Sequence, residues 1–181
     1  MNNINPKMAD MAFGELQKEL VRVLPFLKHA YGIIKVIEDV SGKKMPILAS
    51  GAEYISAMPD GKHAAYSFFD IKPGQIYEKW HKNTAPVVRY DFSLIVWYNL
   101  TLLAKTTEIT DGEKLKAAIS AAFWRNIILQ HSSYVMESIT DDAKEIFSKY
   151  YTPEFDRKYL LHPYGAVRFS GILKYSEKGN L

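Results

Sequence analysis

The stretch "VVRYDFSLIVWYNL", residues 87–100, governs the reading of this chain, because its alternation is complete on one side and broken on the other. In an extended strand, successive side chains point to opposite faces. Val88, Tyr90, Phe92, Leu94, Val96 and Tyr98 then form one unbroken apolar row. The opposite row begins with Arg89, Asp91 and Ser93, turns apolar at Ile95 and Trp97, and ends at Asn99. One face is therefore expected to be buried along its whole length and the other only at its far end. Two covers suit that far end: helices of the same chain, or another protein.

Working outward, the segment after this strand carries a helix expected over 111–130, "DGEKLKAAISAAFWRNIILQ". Asp111 can cap the first amides, and Glu113 suits the positive end of the helix dipole. Leu115, Ala118, Ile119, Ala122, Phe123 and Ile127 make its buried stripe, with Trp124 and Ile128 on its flanks. A second helix is expected over 139–151, where Ser138 and Asp141 have capping-box spacing and Thr140 is an alternative cap. "YGAVRFSGILKYSE" reads as a last strand, with Val167, Phe169, Leu173 and Tyr175 on one side and Arg168, Ser170 and Lys174 on the other.

Before the central strand, Met8, Met11, Leu16, Leu20, Val23 and Leu27 recur at roughly helical spacing. Pro25 should break that helix, and Gly32 is expected to close a last turn. "GIIKVIEDV" and "MPILAS" flank "SGKK" as a hairpin, "GAEYISAM" is a further short strand, and "KHAAYSFFDI" is another. Residues 74–86 look like a long loop. The order implies a single α+β domain over 1–181: a mainly antiparallel sheet packed by an N-terminal helix and two helices in the C-terminal half, with a final C-terminal strand.

Composition narrows the chemistry. Of the 181 residues, 48 % are hydrophobic and 24 % charged, which is the balance of a folded protein with a real core. Net charge is +3, too small to argue nucleic-acid binding. The absence of cysteine removes disulfides, thiol catalysis and thiolate metal sites, and fits a reducing, cytoplasmic setting. "MNNINPKMADMAFGEL" lacks an apolar core of signal-peptide length, and no apolar run approaches the ~20 residues of a membrane helix.

No catalytic constellation emerges. His29, His63, His81, His131 and His162 never fall within five residues of one another, so neither HxH nor HExxH occurs and no metal is expected. Gly42-Lys43-Lys44 lacks the earlier glycine of a phosphate loop, and there is no GxSxG elbow. The acidic pairs Asp141-Asp142 and Asp111 with Glu113 stand at expected helix starts, where capping accounts for them; Glu38-Asp39 precedes a turn. What stands out is an excess of aromatic and aliphatic residues beyond one core. Ile95, Trp97, Tyr151, Phe155, Tyr159 and Leu161 are the candidate interface residues, and Arg89, Asp91, Arg168 and Lys174 the candidates for a polar, basic face.

With Phe92, Leu94, Val96 and Trp97 on a strand that leads to a helix carrying Glu113, Leu115 and Ile119, the chain resembles phage tail-terminator (tail-completion) proteins and related neck or tail components. The segment "GIIKVIEDVSGKKMPILASGAEYISAMPDGKHAAYSFF" also looks like small structural proteins of prophage modules. The resemblance covers the order of elements over 10–130 and 164–176; the second helix and "YYTPEFDRKYLLHP" are additional to it. It implies a non-enzymatic structural protein of virion assembly, without cofactor or catalytic residues. Such a protein forms a ring with copies of itself, which can assemble only on the tail tube, and meets other phage structural proteins. Two other readings remain: a small α+β enzyme or ligand-binding domain with a pocket beneath residues 74–86, and a nucleic-acid-associated protein using Arg89, Arg168 and Lys174.

Overall fold

The computed structural model describes residues 8–38, 40, 42, 44–50, 53–57, 61–73, 76–78, 87–147, 149 and 160–176. The first helix, α1 (Met8–Val23), buries Ala12, Phe13, Leu16 and Leu20, spaced so that all four lie on one face. It ends where expected, ahead of a 3-10 turn at Pro25–Leu27. Strand β1 (His29–Ile33) follows directly, so Gly32 is not a helix cap but a residue of β1 with φ +67°. That left-handed backbone, open to glycine at little cost, coincides with a register shift between Ala30 and Ile33. The strand expected over 32–40 is accordingly divided: after Ile34 the chain leaves for a separate sheet as β2 (Lys35–Glu38).

β2, β3 (Lys44–Ser50) and β4 (Glu53–Ser56) form that smaller antiparallel sheet, with Lys35 opposite Ile47 and Ile47 opposite Ser56. β5 (Ala65–Ile71) returns to the main sheet, and β6 (Ile76–Glu78) is a short strand inside the segment read as a loop. β7 (Val87–Asn99) is the strand of the opening stretch. α2 (Leu100–Leu103) continues from it, capped by the Asn99 side chain. α3 (Gly112–Ala121) begins at the Asp111 cap, whose carboxylate accepts the Lys114 amide at 2.8 Å. A π turn (Ala122–Asn126), strand β8 (Ser132–Thr140), a single-turn helix α4 (Ala143–Ile146) and β9 (Tyr164–Ser176) complete the described elements.

The fold is α+β with mainly antiparallel sheets, and β7 is central. The main sheet runs β1-β5-β7-β9-β8, with β6 also pairing to β7; only β1 with β5 is parallel. β9 pairs with β7 over its full thirteen residues, from Val87–Ser176 to Asn99–Tyr164. The continuous row of β7 packs beneath α1 and α3, against Phe13, Leu16, Leu115 and Ile119. Phe13 is the hub there, with its ring centroid 5.0 Å from Phe69 and 5.4 Å from Phe92.

Two helix expectations require correction. The helix placed over 111–130 stops at Ala121, passes through one π turn, and is extended from Ile127. Side chains from other elements hold the new path. The Arg22 guanidinium donates to the Asn126 carbonyl at 3.1 Å, and the Tyr134 hydroxyl reaches the carbonyls of Phe123 and Ile127. The helix placed over 139–151 is a strand at its start, because Ser138, Ile139 and Thr140 pair with Ser170, Phe169 and Arg168 of β9. The cap of α4 is Asp142, whose carboxylate accepts the Lys144 amide at 2.9 Å, while the Thr140 hydroxyl accepts the Asp142 amide. Ser138 caps nothing, since it lies within the ladder. Residues 148, 150 and 151 of that expected helix lie outside the described residues.

Candidate functional site

On the second face of the main sheet, the far end of β7 is covered by the same chain. Ile95 and Trp97 are 0 % and 1 % exposed, in a second apolar cluster with Tyr66, Phe68, Ile34, Ala57, Ile146, Phe147 and Ala166. Trp97 is stacked on Tyr164 at 5.0 Å and lies 5.1 Å from Tyr66. Of the two covers the alternation allows, the chain supplies its own: the chain between β1 and β2, the residue after β4, α4 and the start of β9 fill that space, and Ile95 and Trp97 are not exposed to a neighbour. Leu161 is exposed, whereas Tyr151, Phe155 and Tyr159 lie outside the described residues.

The polar end of the same face is a bonded strip. Ser93 stands opposite Asp70 on one side and Ser170 on the other. The Ser93 and Ser170 hydroxyls are 3.1 Å apart. The Arg168 guanidinium donates to Ser93 at 2.9 Å and to the Glu145 carbonyl at 2.6 Å, which ties α4 to the sheet. Lys149 pairs with Asp70 at 2.6 Å. At the end of the strip Arg89 pairs with Asp91 at 3.0 Å, with Lys174 opposite Arg89 in the β9 register. The four residues expected to make a polar, basic face do share one, but Arg89 is matched by an acid and Arg168 is spent on internal acceptors. That strip is built to satisfy buried polar groups, as burial requires.

Exposed apolar side chains occur on β4, at Tyr54 and Ile55, and four others gather around β8. This nine-residue strand is the last of the main sheet, and among the described residues no strand pairs with its outer edge. Val135 and Ile139 on it are 57 % and 47 % exposed; Trp124 and Ile128, on the turn leading to it, are 81 % and 77 % exposed. Phe123, Trp124, Ile127, Tyr134, Val135 and Met136 line a cleft of about 470 Å³ between turn and strand. The scaffold beneath is fixed to α1. The Glu15 carboxylate accepts from the amides of Gln130 and His131 and from the Ser132 hydroxyl, the last at 2.9 Å. Gly171 of β9 lets β8 pass close, since a Cβ there would collide with the Val135 carbonyl oxygen. Burial raises the pKa of the Tyr134 hydroxyl, so it remains a neutral donor to the turn.

Trp124 and Ile128 flank the helix that the sequence implies over 111–130, and β8 is an element that the sequence reading does not contain. Its signal was present in the alternation of Tyr134 and Met136 with Val135 and Glu137; the capping-box spacing at Ser138 drew the end of the strand into a helix. Among the described residues no three His, Asp or Glu side chains gather to hold a metal ion, and no helix is long and apolar enough to cross a membrane. No protein-family model, curated protein or solved structure matches this chain.

Proposed function

We propose that this chain is a non-enzymatic assembly protein that joins copies of itself through β8 and the Trp124 turn. This is the role implied by its resemblance to phage tail-terminator proteins, with assembly in the cytoplasm into a tail or tail-like particle. The observation that carries the reading is the coincidence of an open sheet edge with four exposed apolar side chains, Trp124, Ile128, Val135 and Ile139. An open edge offers unpaired amides and carbonyls in a row, and natural proteins usually blunt such edges with charge or proline. β8 carries only Glu137 as a charged residue and no proline. The opposite edge, β1, is shorter, bent at Gly32, and has the Ala30 carbonyl taken by Gln17. β8 is therefore the edge offered to a neighbouring copy, and repeated contacts close into a ring when the rotation between copies permits.

The test is sedimentation equilibrium and negative-stain microscopy of concentrated protein, alone and with a phage tail-tube protein. Wild type should form closed oligomers in at least one condition. Trp124→Ala and Val135→Lys should weaken association by at least ~2 kcal/mol with unchanged thermal unfolding. Association that is indifferent to both substitutions, or absent in every condition, would remove this reading.

A further inference from the structure

Two strands of this chain end their sheets with an apolar edge, and the two edges differ in shape. On β8 the register to β9 shifts between Met136 and Ser138, so Glu137 is an extra residue that bends the edge. The straight part of that edge is residues 132–136. Its side chains point both ways. Tyr134 stands opposite Leu173, a core residue on the helix side of the sheet. Val135 stands opposite Ile172, whose own partner on β7 is Asp91, so Val135 is on the second face. The cleft of about 470 Å³ runs along this same stretch. Trp124, Ile127 and Met136 make it apolar, and Ser132 gives it a polar spot. The Ser132 hydroxyl donates to Glu15 and keeps its lone pairs to accept a further bond.

The other edge is β4, the last strand of the small sheet, whose outer side no strand pairs among the described residues. It is four residues long, and both Tyr54 and Ile55 on it are exposed. As neighbours in a strand they point to opposite faces. Apolar area thus stands above and below a row of unpaired amides and carbonyls. At the far side of the small sheet, β2 instead exposes Lys35 and Glu38, the charges that usually blunt an edge. The β4 and β8 edges are complementary in three respects. A strand of four residues fits a straight edge of five. A tyrosine, apolar in its ring and polar at its tip, meets a cleft of the same character. The isoleucine on the opposite face meets Val135. A second β8 is a poorer occupant, because Val135 is the only exposed large apolar side chain in its straight part.

We infer that β4 of one copy adds to β8 of the next as a further strand of the main sheet. Tyr54 is seated in the cleft beside Trp124, with its hydroxyl donating to Ser132, and Ile55 packs on Val135. This contact rests on the self-assembly reading of β8 and supplies its missing half. Each copy gives one edge and receives on another, so the contact is head-to-tail and repeats from copy to copy. The chain has no cysteine, so single introduced thiols report on it cleanly. In a condition where wild type associates, an equal mixture of the Ile55→Cys and Val135→Cys proteins, oxidised with diamide, should give a disulfide-linked dimer. Neither variant alone should. Tyr54→Ala should weaken association tenfold or more with unchanged thermal unfolding, and Tyr54→Phe should weaken it less. Linkage of Val135→Cys to itself would mean that β8 faces β8 and would overturn the inference. So would a mixture that yields no linked dimer, or association that Val135→Lys abolishes and Tyr54→Ala leaves intact; in these cases assembly through β8 still stands. Absence of association in every condition overturns both.

Discussion

The far end of the second sheet face and the turn after α3 each present a tryptophan beside branched aliphatic residues, and the chain treats them oppositely. Trp97 and Ile95 lie under α4 and the segments flanking the small sheet, and solvent does not reach them. Trp124 and Ile128 stand outward on a turn clamped to α1. Hydrophobicity is equal in the two places; what differs is whether the chain supplies a cover. A large exposed apolar side chain on a rigid support is the informative case, since burial of Trp97 needs no partner and exposure of Trp124 asks for one.

Substitutions can break this comparison in order of size. Trp97→Ala should destabilise the isolated chain by about 3–5 kcal/mol, as should Phe92→Ala on the opposite face, because each empties a fully packed site. Urea unfolding measures both, and a loss below about 1 kcal/mol for Trp97→Ala would mean that its cover is not in place. Arg168→Ala removes the hydrogen bonds to Ser93 and the Glu145 carbonyl. It should cost about 1–3 kcal/mol, the range of hydrogen bonds to charged groups, and should raise hydrogen exchange in α4 ahead of global unfolding.

The smaller effects sharpen the contrast. Lys116 lies 2.7 Å from Asp141 and 2.5 Å from Glu113; the Asp141 bond, then the Glu113 bond, push its pKa up to about 12, while Lys116 lowers that of Asp141. A raised lysine stabilises fully below its unfolded pKa and loses that contribution as pH rises through about 12. A lowered aspartate stabilises above its unfolded pKa and loses that contribution as pH falls through its folded value. The pair should therefore act from about pH 4 to about pH 10. Being at the surface, it is worth under ~1 kcal/mol. Asp141→Asn should show that small loss at neutral pH, and the difference should shrink as pH falls below about 4. Trp124→Ala should leave stability within about 0.5 kcal/mol of wild type, so that any effect on association is read without interference.

Much of the fold was legible in residues with strong period or strong punctuation. The thirteen residues of β7, the Asp111 cap and the last strand follow from local pattern; in α1 the expected stripe holds at Leu16 and Leu20, whereas Met11 is exposed and Ala12 and Phe13 are buried instead. What was not legible came from partners distant in sequence. Glu15 and Arg22 of α1 bend the chain after Ala121, and no local signal at 122–132 announces them. The ladder of β8 on β9 overrides a capping spacing at Ser138. Ile95 and Trp97 carry the same sequence signature whether covered by α4 or by a second subunit, so their alternation could pose the question but not decide it. The meeting of His29 with His63 follows from the parallel pairing of β1 and β5, which sequence spacing does not express.

The pairing of β7 with β9 also sets an order of events during synthesis. Ser93 and Ser170, partners in the ladder, are 77 residues apart in the chain. At about 5–20 residues per second, the central strand leaves the ribosome about 4–15 s before the strand that lines its entire length. Throughout that interval its most apolar stretch has a neighbour on one side only. Such a chain depends on chaperones or on quick burial by α1 to avoid sticking to others, and slower translation after Asn99 should lower its soluble yield more than slower translation before Val87.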